Sequence, residues 1–167
     1  MLLLRFDISS IINSPICAII GIACMLYFVF GSDDKRRTFN ELKVCPKKYA
    51  TLMLDWCQTN MIGSVTSKVT VLIDYESQPK DGRYGEFDPN TNQIRIFMKK
   101  HFSIFLFTEI FIHEYTHAQQ FFRDGLAKYD SFTQRYGTYD NPYEKEARAM
   151  ELIYAANCYN ELLCKIK

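Results

Sequence analysis

Ile112-His113-Glu114-Tyr115-Thr116-His117 is the stretch from which the rest of this chain can be read. It has the form H-E-x-x-H and lies inside an apolar run, residues 102–122. On a helix, residues four apart stack on one face. His113 and His117 then aim two imidazoles at one point, and Glu114 lies beside that point. Two nitrogen ligands next to a carboxylate able to take a proton are what a hydrolytic zinc centre needs. The chain has only 3 histidines, and two of them fall in this spacing. The third, His101, lacks ligand spacing and reads as a surface or capping residue.

Working outward, the motif helix is expected over residues 103–123, ended by Asp124-Gly125. It is apolar almost all round (Ile104, Phe105, Leu106, Phe107, Ile110, Phe111, Ile112), which places it at the centre of a core. Thr108 and Glu109 interrupt it too early for a membrane span. Before it, residues 83–87 and 93–98 alternate around Asp88-Pro89-Asn90-Thr91-Asn92 and form a β-hairpin. Residues 69–75 are β-branched and form a strand. Pro46 opens a helix over residues 46–60, whose apolar stripe carries Trp56 as a core anchor. After the motif, residues 126–141 read as a long tyrosine-rich loop, or a loop with a short turn. Asn141 caps and Pro142 begins a last helix, expected over residues 142–164.

A third ligand must come from another element, because a further side chain of the motif helix cannot converge on the same point. The last helix offers Glu144, Glu146 and Glu151. Small residues at Ala147 and Ala149 would let it pack closely. Glu146 is the expected ligand, Glu144 the alternative, and Glu151 comes after both. Glu114 is the expected catalytic base. Tyr136, Tyr139 and Tyr143 are candidate donors to a developing oxyanion.

The order of these elements resembles a short gluzincin, the smallest type of thermolysin-clan zinc peptidase. The resemblance covers about residues 46–164 and rests on R-Y-G-E-F-D-P-N-T-N-Q-I-R-I-F, H-E-Y-T-H-A-Q-Q and N-P-Y-E-K-E-A-R-A-M-E. It implies His113, His117 and Glu146 as zinc ligands and Glu114 as base, with Glu144 the competing match for the acidic ligand. It also implies that the strand before the motif helix is a sheet edge binding an extended peptide. That would give Ile94 and Ile96 a substrate-binding role. Gln120 and Asp124 occupy positions that an extended metzincin signature would fill with glycine and histidine.

Residues 8–32 carry no charge, and residues 16–30 (ICAIIGIACMLYFVF) are unbroken apolar sequence ending at Gly31-Ser32-Asp33-Asp34. With Ile11 and Ile12 the segment reaches the ~20 residues of a membrane helix. A single-pass anchor is expected over residues 1–32, followed by a linker over 33–45 and the catalytic domain over 46–167. A cleaved signal peptide and a buried helix are the alternatives. Lys35, Arg36, Arg37, Lys43, Lys47 and Lys48 follow the segment, which places the domain on the cytoplasmic side; secretion would follow from signal cleavage. Net charge is +1, so nothing suggests a nucleic-acid partner. None of the 6 cysteines has C-x-x-C spacing, and reduced thiols are expected, with a bridge from Cys45 or Cys57 to the last helix as the alternative.

The sequence therefore leads to an α+β, zincin-like fold with a small antiparallel or mixed sheet, a central H-E-x-x-H helix and a C-terminal helix behind a transmembrane segment. The expected activity is zinc-dependent hydrolysis of protein or peptide substrates. An inactive peptide-binding module of the same fold and a structural membrane protein with a fortuitous motif are the rivals.

Overall fold

The computed structural model describes residues 37–63, 69–77, 79–99 and 101–166, without the side chains of residues 133 and 137–139. The expected anchor at residues 1–32 lies outside these, as do Cys17 and Cys24. No helix among the described residues is long and apolar enough to cross a membrane.

The described chain is α+β, with four helices and a three-stranded mixed sheet. Helix α1 (Pro46–Asn60) starts on its proline and buries Tyr49, Met53, Trp56 and Cys57 along one stripe. Strand β1 (Thr70–Asp74) precedes the hairpin of β2 (Gly85–Asp88) and β3 (Gln93–Phe97). The hairpin turn is held by the Asp88 carboxylate, which accepts from Asn90 N at 2.9 Å and Thr91 Oγ1 at 2.8 Å. The motif helix, α2 (Ile104–Asp124), begins where the Ser103 hydroxyl accepts from Leu106 N at 3.1 Å. It ends at Gly125, whose φ of 81° only glycine adopts without strain. Helix α4 (Pro142–Ile166) is started by Asn141 Oδ1, which accepts from Tyr143 N at 2.9 Å.

Helix α2 is the centre of the core. Ile104, Phe107, Phe111, Ile112, Tyr115 and Ala118 are all fully buried on it. The sheet packs on one side, and α4 runs antiparallel on another: Phe105 meets Tyr159 near one end, and His117 meets Glu144 near the other. Ala147, fully buried, lets α4 come close. The buried Tyr49 hydroxyl is satisfied by Thr108 Oγ1 at 2.9 Å, and Trp56 Nε1 donates to Glu161 at 2.8 Å, tying α1 to α2 and α4.

Three expectations are corrected. Residues 126–141 are not a loop but a helix, α3 (Leu126–Asp140). Tyr129 and Phe132 are three apart and both pack on Tyr143, at 5.4 and 4.9 Å between ring centroids. That aromatic contact compensates a sequence with little helical amphipathicity. Residues 37–45 are not a free linker: Phe39 is buried against Tyr49 and Phe107, and Thr38 bridges to Ser103, so the folded unit begins at Arg37. Finally, β3 is not an edge. The strand order is β1-β3-β2, with β1 parallel and β2 antiparallel to it. Ile94 and Ile96 are fully buried in the core and cannot line a peptide-binding edge. The four described cysteines are free thiols, Cys57 and Cys158 buried, Cys45 and Cys164 exposed.

Candidate metal centre

One helical turn of α2 brings the two motif imidazoles together, with His113 Nε2 and His117 Nε2 3.0 Å apart. Helix α4 supplies the third group. Glu144 places Oε2 3.4 Å from His113 Nε2 and Oε1 3.3 Å from His117 Nε2. Atoms bound tetrahedrally to zinc at ~2.0–2.1 Å stand roughly 3.3 Å from one another. The two imidazole nitrogens and the Glu144 carboxylate, which meets each ring with a different oxygen, lie close enough together to share one metal ion.

The expected ligand Glu146 is not part of this group. Its carboxylate is gripped by both Arg123 nitrogens, at 2.7 and 3.0 Å, and by Gln120 Nε2 at 3.2 Å. The reason is helical geometry: residues two apart point about 200° from each other. Only one of Glu144 and Glu146 can face the histidine pair. Glu144, Ala147, Arg148 and Glu151 fall on one face at spacings of three, four and seven. Glu146 falls toward the end of α2, where Arg123 waits.

The outer nitrogens of both rings are committed. His117 Nδ1 lies 2.8 Å from Gln120 Oε1. Gln120 is fully buried and its amide nitrogen donates to the Tyr143 carbonyl at 2.9 Å, so Oε1 is the atom that accepts from His117. His113 Nδ1 donates to the Glu151 carboxylate. With both Nδ1 atoms carrying hydrogen, the neutral rings present Nε2 lone pairs toward each other and toward Glu144. Three acceptors facing one point repel unless a cation or proton lies among them. This donor set, two imidazoles and a carboxylate with their outer atoms anchored, fits zinc.

Electrostatics report the same demand. Burial works against a charge on His113, but Glu144 and Glu151 outweigh it and raise the imidazole to about 10. Burial likewise opposes ionisation of Glu144, yet its contacts with His113 and His117 hold the carboxyl well below the usual range. A raised histidine stabilises the fold fully below its unfolded value near 6.5 and loses that contribution as pH climbs to about 10. A depressed glutamate contributes above about 4.5 and loses it as pH falls. Metal-free protein should therefore be most stable between about pH 4.5 and 6.5. Glu144→Gln should flatten both flanks of the profile. Chemical denaturation across pH checks this; an unchanged profile in the variant contradicts it.

Glu114 lies beside the pair, 8% exposed. Burial raises its carboxyl above the ordinary value, although both histidines pull the other way. Its enclosure depends on Gly85. A Cβ there would stand 2.7 Å from Ile110 Cγ2, 2.9 Å from Glu114 Cγ and 3.0 Å from Glu114 Oε1. Glycine lets β2 lie directly on the motif helix. Gly85→Ala should cost about 1–3 kcal/mol through overpacking and displace the Glu114 carboxylate. Urea unfolding reads the first effect; a loss under about 0.5 kcal/mol would show that the strand gives way.

A cleft of about 590 Å³ opens over these groups, lined by Gly85, Glu86 and Phe87 on one side and by Tyr129, Glu144 and Arg148 on the other. Phe97 N donates to Tyr84 O at 2.8 Å, and Glu86 pairs with Arg95. Antiparallel alternation then turns the backbone N–H and C=O groups of Gly85 and Phe87 away from β3. Of the tyrosines expected near the chemistry, Tyr143 is buried and donates to Asp124 at 2.8 Å, and Tyr136 is not among the cleft residues. The side chain of Tyr139 lies outside the described set. Tyr129 takes that place, its ring 6.1 Å from that of His117. His101 is exposed.

Sequence reasoning missed Gln120, Gly85 and Tyr129, and gave Glu151 the wrong part. The seven-residue interval from Glu144 to Glu151, two helical turns, was the available signal for a shared face. No protein-family model, curated protein or solved structure matches the chain.

Proposed function

We propose that this chain is a zinc-dependent peptidase with a zincin-like domain of the short gluzincin type. Its ligands are His113, His117 and Glu144. The observation that carries this is the convergence of two Nε2 lone pairs and the Glu144 carboxylate, close enough together to share one metal ion, with Glu114 enclosed beside them. Zinc held there supplies Lewis acidity, which acidifies water and polarises a substrate carbonyl.

The chain's own residues supply the rest. Glu114, with its raised pKa, accepts the proton of the attacking water and passes it to the leaving amine. Glu151 and Gln120 orient the two rings through Nδ1. The outer edge of β2 offers the Gly85 and Phe87 backbone groups to an extended peptide, the role first expected of β3. Tyr129 and Arg148 line the cleft and are the candidate donors to a carbonyl oxygen that gains charge. The uncharged run at residues 8–32 supports a membrane tether, and the basic residues after it support a cytoplasmic domain.

Incubating the zinc-loaded protein with a mixed peptide library tests the reading. Cleavage should appear, vanish with a chelator and return with zinc. Peptides left intact by metal-replete, folded protein would sink it.

A further inference from the structure

Arg37 opens the folded unit beside the first turn of α2. Ile104 N donates to the Arg37 carbonyl at 3.0 Å, and Thr38 bridges to Ser103. Residues 33–36 alone separate Arg37 from the uncharged run at 8–32. Five peptide steps reach at most roughly 18 Å. A bilayer holding that run would therefore lie within reach of this end of α2.

The face at that end carries exposed bases. A cavity of about 400 Å³ opens on it, bordered by Thr38, Asn40, Pro46, Tyr75 and Lys99. Lys43 lies in the turn before Pro46, Lys47 and Lys48 lie in the first turn of α1, and all three are exposed, as is Lys99. None of these four lysines belongs to an ion pair among the described residues. Lys99 Nζ lies 4.3 Å from the centre of the Tyr84 ring, a contact that leaves its charge in place. The acids on this face are Glu41, Asp74 and Glu76. Two of them are folded onto their own turns. Glu41 accepts from Thr38 N at 2.6 Å, and Asp74 accepts from Glu76 N at 3.0 Å and Ser77 N at 2.8 Å. The bases outnumber the acids. Tyr75, 56% exposed, adds an amphipathic ring of the kind that sits at headgroup level.

We propose that this face docks on an anionic lipid surface, with Lys43, Lys47, Lys48 and Lys99 at the headgroups and Tyr75 among them. This rests on the membrane tether read above. Docking holds the domain by the start of α2. His113 and His117 lie roughly 14 and 20 Å further along that helix, clear of the lipid. The cleft shares no lining residue with the cavity on this face.

The test places the full chain in nanodiscs of phosphatidylcholine, alone or mixed with phosphatidylserine, and labels it briefly with an amine-reactive reagent. Mass spectrometry reads each lysine. Lys43, Lys47, Lys48 and Lys99 should label at least about threefold more slowly on the anionic discs, and the difference should vanish in ~1 M salt. Lys128 and Lys145, beyond the far end of α2, should label equally on both. Replacing Lys43, Lys47 and Lys48 by glutamine should remove the protection of Lys99 with zinc content unchanged. Equal labelling on the two discs, equal protection of Lys128 and Lys145, or protection of Lys99 that survives the triple replacement overturns the proposal. The tether is read separately, by whether the chain stays with neutral discs in ~1 M salt. A chain that leaves them, yet shows salt-sensitive protection on anionic discs, keeps the docking face and overturns the tether. One that stays on both with uniform labelling does the reverse.

Discussion

Glu144→Ala should lose zinc, and Glu146→Ala should keep it. The two residues lie two positions apart on α4, yet their surroundings differ in kind. Glu144 faces His113 and His117 at 3.4 and 3.3 Å, and those imidazoles hold its carboxyl in the ionised form a metal requires. Removing it leaves two neutral ligands and an open side, and affinity should fall by more than the roughly 10–100-fold typical of losing an outer-shell partner. Glu146 is bound by Arg123 through both oxygens, and that arrangement joins the end of α2 to the start of α4. Burial opposes its ionisation, but the Arg123 contacts prevail and hold the carboxyl low. Arg123 is half exposed, so the pair is screened and Glu146→Ala should cost only about 1 kcal/mol of stability. Competition against a calibrated zinc chelator separates the variants. Metal loss in Glu146→Ala with retention in Glu144→Ala would return the ligand to Glu146.

The second large effect falls on Glu114. Glu114→Gln keeps the side chain's size, so the contact with Gly85 and the enclosure by β2 should survive. It removes the ability to accept a proton. Zinc binding should remain within about tenfold of the wild type, because Glu114 is outside the donor group. Peptide hydrolysis should fall by about 10²–10⁴-fold, the range for a lost general base. Steady-state kinetics should place the loss in kcat rather than KM. Equal turnover by variant and wild type would assign the proton transfer to another group.

Much of this site was legible because H-E-x-x-H carries its own geometry. Four-residue spacing on a helix fixes the two imidazoles and Glu114 without tertiary information. The limits of α1, α2 and the hairpin and the start of α4 were legible for the same kind of reason: Pro46, Ser103, Gly125, Asp88 and Asn141 act on the backbone within a few residues. What failed depended on partners distant in sequence. Glu144 and Glu146 differ only in which way α4 turns on α2, and Arg123 decides where Glu146 ends. The edge of the sheet was misplaced because β1, more than twenty residues upstream, covers the far side of β3. The α3 helix was read as a loop because its stabilising rings pack on Tyr143, outside the segment itself. Gly85 gave no signal at all, since its significance lies in what stands opposite it.

The central claim is a metal centre built from His113, His117 and Glu144. A crystal of the zinc-loaded protein, with diffraction recorded on both sides of the zinc absorption edge, tests it most directly. The account predicts one anomalous peak per chain, with His113 Nε2, His117 Nε2 and a Glu144 oxygen at ~2.0–2.2 Å and Glu146 still on Arg123. No peak at the histidine pair, or a peak ligated by Glu146 with Glu144 turned away, would contradict it.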